Sequence, residues 1–329
     1  MSGSLAIPNT LLNNSPEAIS KVDQNFTTIR DYVNAREVVT GLLANRPAAG
    51  TAGAWYFATD TGALYTDNGT AWVLAALSKA NLAETLSGLT LANNGAAIDI
   101  AAGAASSDDA TIANRILMTL GAFSKNMNAA WAAGTGNGGN NAGATLAVST
   151  WYDVFLIERP DSGLTDVLAD TTLTPTLPTN YTKKRRIGSF RTDGAAAIVP
   201  FVQDGDYFGW VTPLLAVDSA NPGIAAVTVT FADLPLRTRV QALLNVTVAS
   251  TADAAGVAWV SDPAQTDTAP SSTLAPLGNL VYAGASVNPQ LQSSQMLVRT
   301  NTASQLLYRL SVSTANTTIL IVVLGYFDR

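Results

Sequence analysis

From Trp151 to the C-terminus the sequence is a succession of short runs in which apolar and polar residues alternate, cut by turn-forming residues. That pattern limits the fold more than any other feature, because a period of two puts one face of a strand in a core and the other in water. Alternation is cleanest in residues 227–231 and 240–248, and further strands are expected at 257–260, 280–283, 296–300, 306–312 and 318–326. Roughly seven or eight short strands within about 115 residues is the pattern of a β-sandwich or jelly roll. Upstream, residues 151–159 are apolar on both faces and read as a central strand. Pro160-Asp161-Ser162-Gly163 turns it back into 164–168, and 186–191, 196–203 and 207–212 supply further strands.

The preceding stretch, 78–150, is rich in Ala, Gly, Asn and Ser. Residues 89–91 and 98–100 look like short strands, 112–127 has a mixed period compatible with helix or strand, and 134–141 has the composition of a loop. Earlier still, residues 54–58, 63–66 and 71–74 are aromatic strands separated by Asp60-Thr61-Gly62 and Asp67-Asn68-Gly69, a strong hairpin signal. They predict a three-stranded meander too small to bury much by itself.

The N-terminal part has helical periodicity. Ser15 suits an N-cap, Pro16 the first helical position and Glu17 the positive end of the helix dipole. Ile19, Val22, Phe26, Ile29 and Val33 then follow at alternating spacings of three and four, a short heptad seam. Its aliphatic members are all β-branched, which leans toward a three-stranded coiled coil, and a stalk of about 21 residues would be about 31 Å long. The expected architecture is mainly β: a helix and anchor in 1–36, a hairpin module in 37–77, a β-sandwich knob in 78–212 and a jelly-roll-like tip in 213–329, assembled as a homotrimer.

Two absences narrow the chemistry. The chain has no Cys and no His, which removes disulfides, thiolate nucleophiles, imidazole bases and the common zinc sites. Its 18 basic against 24 acidic residues give a net charge of −6, poorly suited to holding nucleic acid or an anionic membrane. The longest apolar run, 319–327, is too short for a membrane-spanning helix, which needs about 20 residues. No signal peptide, cofactor or metal site is expected.

The letter motifs that suggest catalysis lack their contexts. Asp60-Thr61-Gly62 spells the aspartic-protease triplet, but it occurs once and reads as a turn. Gly134-x-Gly136-x-x-Gly139 matches a dinucleotide fingerprint without the strand and helix that it requires. The basic run Lys183-Lys184-Arg185-Arg186 reads as a solvated strand start. Asp204 with Asp206, and Asp108 with Asp109, are acids close in sequence and read as turn residues rather than a glycosidase pair. The chain is therefore read as a non-enzyme.

Residues 14–18, Asn25-Phe26 and 30–34 resemble the N-terminal stretch of bacteriophage fibre-like proteins. Residues 46–53, 56–62 and 68–72 resemble a hairpin module of tail-fibre proteins, and 129–136, 152–157, 178–182 and 185–189 are similar to a knob of phage structural proteins. The resemblance covers roughly residues 5–212. It implies a virion protein held to the particle through its N-terminus, with no nucleic acid partner and no membrane insertion. A fibre anchored there carries its last domain outermost. Residues 212–329 contain six Asp, five Arg and no Lys or Glu, so their surface is hydroxyls, amides and a few aromatics. That inventory suits a host-surface glycan, with Trp259 and Tyr282 as the aromatic candidates. A purely structural head fibre or connector, and a glycan-cleaving fibre, are the alternatives.

Overall fold

The computed structural model describes residues 24–29, 38–60, 62–77, 84–250, 255–271, 273, 278–282 and 290–328. The protein is mainly β, and its contacts divide it into two units, 1–85 with 106–117 and 86–105 with 118–329. Of the heptad seam, Ile19, Val22 and Val33 lie outside the described residues. Residues 24–29 are helical, with Phe26 and Ile29 both exposed.

In the first unit the expected meander gains a fourth strand. Val38–Gly41 pairs in parallel with Trp55–Ala58, which continues antiparallel to Ala63–Asp67 and then to Trp72–Leu77. The Tyr56 ring is buried, its hydroxyl donates to the Leu42 carbonyl (2.7 Å), and the Arg46 guanidinium lies 4.3 Å from the Tyr65 ring centre. Asp60 accepts the Leu43 N–H (2.9 Å), and the Gly62 N–H donates to the Ala58 carbonyl (2.7 Å). Asp67 is the polar keystone: its carboxylate accepts the N–H groups of Gly50, Thr51 and Gly69 at 2.7, 2.8 and 2.7 Å. Burial pushes that carboxyl up, and the three donors outweigh it and hold it below the usual carboxylate range.

The second unit contains a seven-stranded mixed sheet and a two-sheet sandwich. The mixed sheet runs, in spatial order, Lys183–Arg191, Trp151–Arg159, Leu164–Asp170, Gly138–Asn140, Phe123–Ala130, Ala97–Ile100 and Leu91–Asn94. Trp151–Arg159 is buried on both faces over its first seven residues, as its doubly apolar pattern requires. The ambiguous 112–127 region resolves into a 3₁₀ turn at Ile112–Asn114 and the strands Leu117–Leu120 and Phe123–Ala130. In the expected 196–203 strand only Phe201–Asp204 pairs as a strand. Residues 193–197 form a tight turn instead, with Ala196 in the left-handed region.

The C-terminal sandwich pairs a five-stranded sheet with a four-stranded one. The long strands Gln241–Ser250 and Thr317–Phe327 are antiparallel neighbours, and Ala242, Leu244, Val246 and Val248 face inward with Ile319, Ile321 and Val323. Leu306, Tyr308 and Leu310 from the other sheet complete this core.

The boundary expected after residue 212 falls inside a strand. Tyr207–Ala220 runs unbroken past it and pairs with Thr317–Phe327, so 201–212 belong with the C-terminal sheet. Pro213, which has no N–H to donate, is accommodated where the register shifts between Gly209 and Leu214. Two devices tie the mixed sheet to the sandwich. Trp151, Trp210, Phe208 and Tyr326 form an aromatic cluster with ring centres 5.1–6.0 Å apart. Beside it, Arg186 donates to Asp153 (2.7 Å) and, through both terminal nitrogens, to Asp328 (2.8 and 2.6 Å), while Arg237 donates to Asp153 (2.8 Å). This corrects the reading of the basic run: Arg186 is half-buried and paired with two carboxylates. Burial works against its charge, and the two carboxylates, Asp328 foremost, outweigh it and hold the guanidinium above its ordinary range.

Two outcomes follow. Arg186→Leu leaves buried Asp328 without its cation and Asp153 with Arg237 alone, and is expected to cost about 3–5 kcal/mol in denaturant unfolding, with Arg186→Lys recovering little because one ammonium does not reproduce the fork; an unchanged midpoint would contradict this. The hairpin module loses the Asp67 contribution in acid: with its folded value below the unfolded one of about 3.9, the stabilisation is complete above that pH and disappears as pH falls through the folded value. Tryptophan fluorescence of the full chain should show an acid transition that Asp67→Ala removes.

Candidate functional site

The two aromatic residues singled out in the C-terminal part do not form one site. Gly256–Ser261 pairs antiparallel with Leu280–Tyr282, with Gly256 opposite Tyr282 and Ala258 opposite Leu280. Residues 256, 258, 280 and 282 therefore share one face and Trp259 lies on the other. Tyr282 is 1% exposed, and its hydroxyl donates to the Val312 carbonyl. Burial pushes its phenol up despite that bond. A β-carbon on Gly256 would collide with its ring, so the ring fills core space. Trp259 is half-buried opposite Arg309, which is itself paired with Asp267 (2.6 Å). Neither ring is displayed as a free platform.

An aromatic–amide–hydroxyl arrangement forms instead on the mixed sheet. Trp131 follows the strand Phe123–Ala130, and the fold brings it beside Asn140, Asn141 and the 176–179 loop around a groove of about 510 Å³. The Trp131 indole N–H donates to the Val167 carbonyl (3.1 Å), and its ring meets Tyr181 edge-on with centres 5.6 Å apart. Its backbone N–H donates to the Asn140 carbonyl (2.8 Å). The strand Gly138–Asn140 can run this close only because residue 138 is glycine: a β-carbon there would collide with the Ala130 carbonyl oxygen.

Beneath this loop lies a buried ion pair. The Lys125 ammonium, fully buried, sits 2.8 Å from Asp166 and donates to the Ala132 carbonyl (2.6 Å); it lies 5.3 Å from the Trp131 ring centre. Asp166 in turn accepts the N–H groups of Gly134 (2.7 Å) and Val167 (2.6 Å). The pair thus pins the backbone on both sides of the 132–134 turn and fixes the indole. Burial pulls the Lys125 ammonium below its ordinary range, against the opposing effect of Asp166.

The amides are placed with equal care. Asn140 is buried with both ends used, donating to Thr145 O (2.9 Å) and accepting from Ala142 N–H (3.0 Å). Asn141 donates to Asp170 (2.6 Å) and to Thr176 O (3.1 Å), and its side-chain oxygen makes no hydrogen bond among the described residues. The hydroxyls of Thr176 and Thr179 likewise have no partner among the described residues. An indole, an amide oxygen and two hydroxyls around one groove match the apolar face and hydroxyl rim of a neutral sugar.

The remaining motif residues sit elsewhere. The Gly134–Gly139 run leads into a strand, not a helix, and Gly134 serves Asp166. Asp204 and Asp206 flank Gly205 in a hairpin turn, and Asp109 accepts the Ser107 hydroxyl (2.6 Å).

Lys125→Met is expected to destabilise the protein by about 3–5 kcal/mol by leaving Asp166 buried without its cation, and adding Asp166→Leu should recover much of that loss. Thermal unfolding of both variants checks this; a single variant as stable as the parent would contradict the pinning role.

No family model matches this chain, and no curated protein matches it. Among solved structures, the crystal structure of a Bacillus thuringiensis Cry1Da tryptic core variant is similar at 9% identity and a TM-score of 0.20, over 94% of this chain and 68% of that one, a level that carries no argument.

Proposed function

We propose that this chain is a homotrimeric fibre or spike protein of a bacteriophage particle, held to the virion by its N-terminal segment, and that it attaches the particle to a neutral host-surface glycan. The order of segments supports the fibre reading: a heptad seam with Phe26 and Ile29 exposed, then a hairpin module, then β domains. The observation that carries the glycan reading is the Trp131 groove, which Trp131, Asn141, Thr176 and Thr179 line together. The sparse charge of the chain, 13% of residues, agrees with a neutral ligand. The burial of Tyr282 moves the proposed contact from the C-terminal segment to this groove and, in the same measure, favours a second reading, a structural fibre without a receptor role.

Light scattering of the full chain should give three times the 34.1 kDa chain mass; a monomer would overturn the fibre reading. Labelled full-length protein should bind neutral bacterial surface glycans on an array, and Trp131→Ala should weaken that binding at least about tenfold, the equivalent of about 1.4 kcal/mol. Undiminished binding by the variant would remove the groove from the proposal, and no binding by the parent would leave the structural reading.

A further inference from the structure

We infer that the Trp131 groove is one of two neighbouring subsites, so that the ligand is an oligosaccharide spanning both rather than a single sugar. This rests on the glycan reading above. A second cavity, of about 460 Å³, is lined by Asn93, Asn128, Leu146, Ala195, Ala197 and Ile198, among others. Both volumes fall in the range of about 300–1,000 Å³ typical of small-ligand sites.

The two cavities share a strand. Along Phe123–Ala130 the side chains of Lys125 and Met127 are buried, while Asn126, Asn128 and Ala130 are exposed. Ala130 lines the first cavity and Asn128 the second. The register of this strand against Gly138–Asn140 shifts between Asn126 and Ala130, so the chain bulges where the two cavities meet. Two residues of chain span at most about 7 Å, a length of the order of one pyranose ring, so the cavities are immediate neighbours, spaced for consecutive units of a chain.

What separates them is low and fixed. The segment 142–146 is clamped at one end by Asn140, which holds Ala142 and Thr145, and at the other by Asn128, whose side-chain oxygen accepts the Leu146 N–H (2.9 Å). Between the clamps stand only Ala142, Gly143, Ala144 and Thr145, all exposed and small. A sugar chain can cross this saddle without displacing a bulky side chain.

The second cavity is built for a part-apolar, part-polar unit. Its outer wall is the turn at 193–197, where Asp193 accepts the N–H groups of Ala195 (2.8 Å) and Ala197 (2.9 Å). Ala196 is held at φ 62°, a conformation disfavoured for a residue with a β-carbon. Asn93 adds a buried side-chain nitrogen with no hydrogen-bond partner, a donor suited to a hydroxyl or carbonyl oxygen.

The test is calorimetry of the full-length protein with neutral oligosaccharide ladders of one to six units, built on glucose, galactose and N-acetylglucosamine. Affinity should rise about tenfold from the first unit to the second or third and then level off. Ala197→Trp, which fills the second cavity from an exposed position, should abolish that rise and leave the affinity for the single sugar unchanged; Ala195→Trp serves the same purpose, and circular dichroism checks that both variants fold. Binding that does not depend on length, or a length dependence that both tryptophan variants retain, overturns the two-subsite proposal alone. No binding at any length on any ladder overturns the glycan reading with it.

Discussion

Buried charge, more than buried apolar area, decides how the second unit is joined. Asp153 lies on the strand Trp151–Arg159, Arg186 on its neighbour, Arg237 in the connection before the Gln241–Ser250 strand, and Asp328 beside the end of the chain. Asp153 and Asp328 are almost fully buried. The two carboxylates are tolerable only while their arginines are in place, because an unpaired buried carboxylate costs far more than the pair gains over an apolar substitute. The aromatic cluster of Trp151, Trp210, Phe208 and Tyr326 supplies the dry surroundings that make this dependence strict. The strand Tyr207–Ala220 and the final strand pair with each other and place Phe208, Trp210 and Tyr326 beside Trp151 of the mixed sheet.

The same logic recurs at smaller scale beneath the groove. Lys125 and Asp166 are buried as a pair, and their side chains also hydrogen-bond backbone of the 132–134 turn and of Val167. Such a pair adds little net stability over an apolar one, but it specifies a single loop conformation. A rigid loop matters for weak ligands, since a binding surface that is already ordered loses less entropy on binding. The turn at 193–197, organised around Asp193, and the segment 142–146, clamped by Asn140 and Asn128, extend this preorganisation along the cleft.

Much of the β architecture was legible in the sequence, because period-two alternation is a direct consequence of strand geometry. The runs at 227–231, 240–248, 257–260 and 306–312 coincide with strands to within one or two residues. The Val38–Gly41 strand was not legible, since a parallel pairing across a loop has no turn signal. Nor was the break at Ala196, where the side chain of Asp193 outweighs a short apolar run. Arg186 looked solvated because its partners, Asp153 and Asp328, are remote in sequence. The groove failed to declare itself for the same reason: Trp131, Asn141 and Thr179 come from three segments that only the fold brings together. Trp259 and Tyr282 were singled out as aromatics in a segment rich in hydroxyls and amides, and their positions in the strand register put them on opposite faces.

The central claim is that Trp131, and not one of the other tryptophans, is the surface that meets the ligand. The chain contains six tryptophans, so uniform labelling with 5-fluorotryptophan gives six fluorine resonances, each assignable by single substitution to phenylalanine. Titration with a neutral oligosaccharide is predicted to shift the Trp131 resonance while leaving the core residues Trp151 and Trp210 in place. A shift confined to Trp259, or saturable binding that moves no Trp131 signal, would contradict the account.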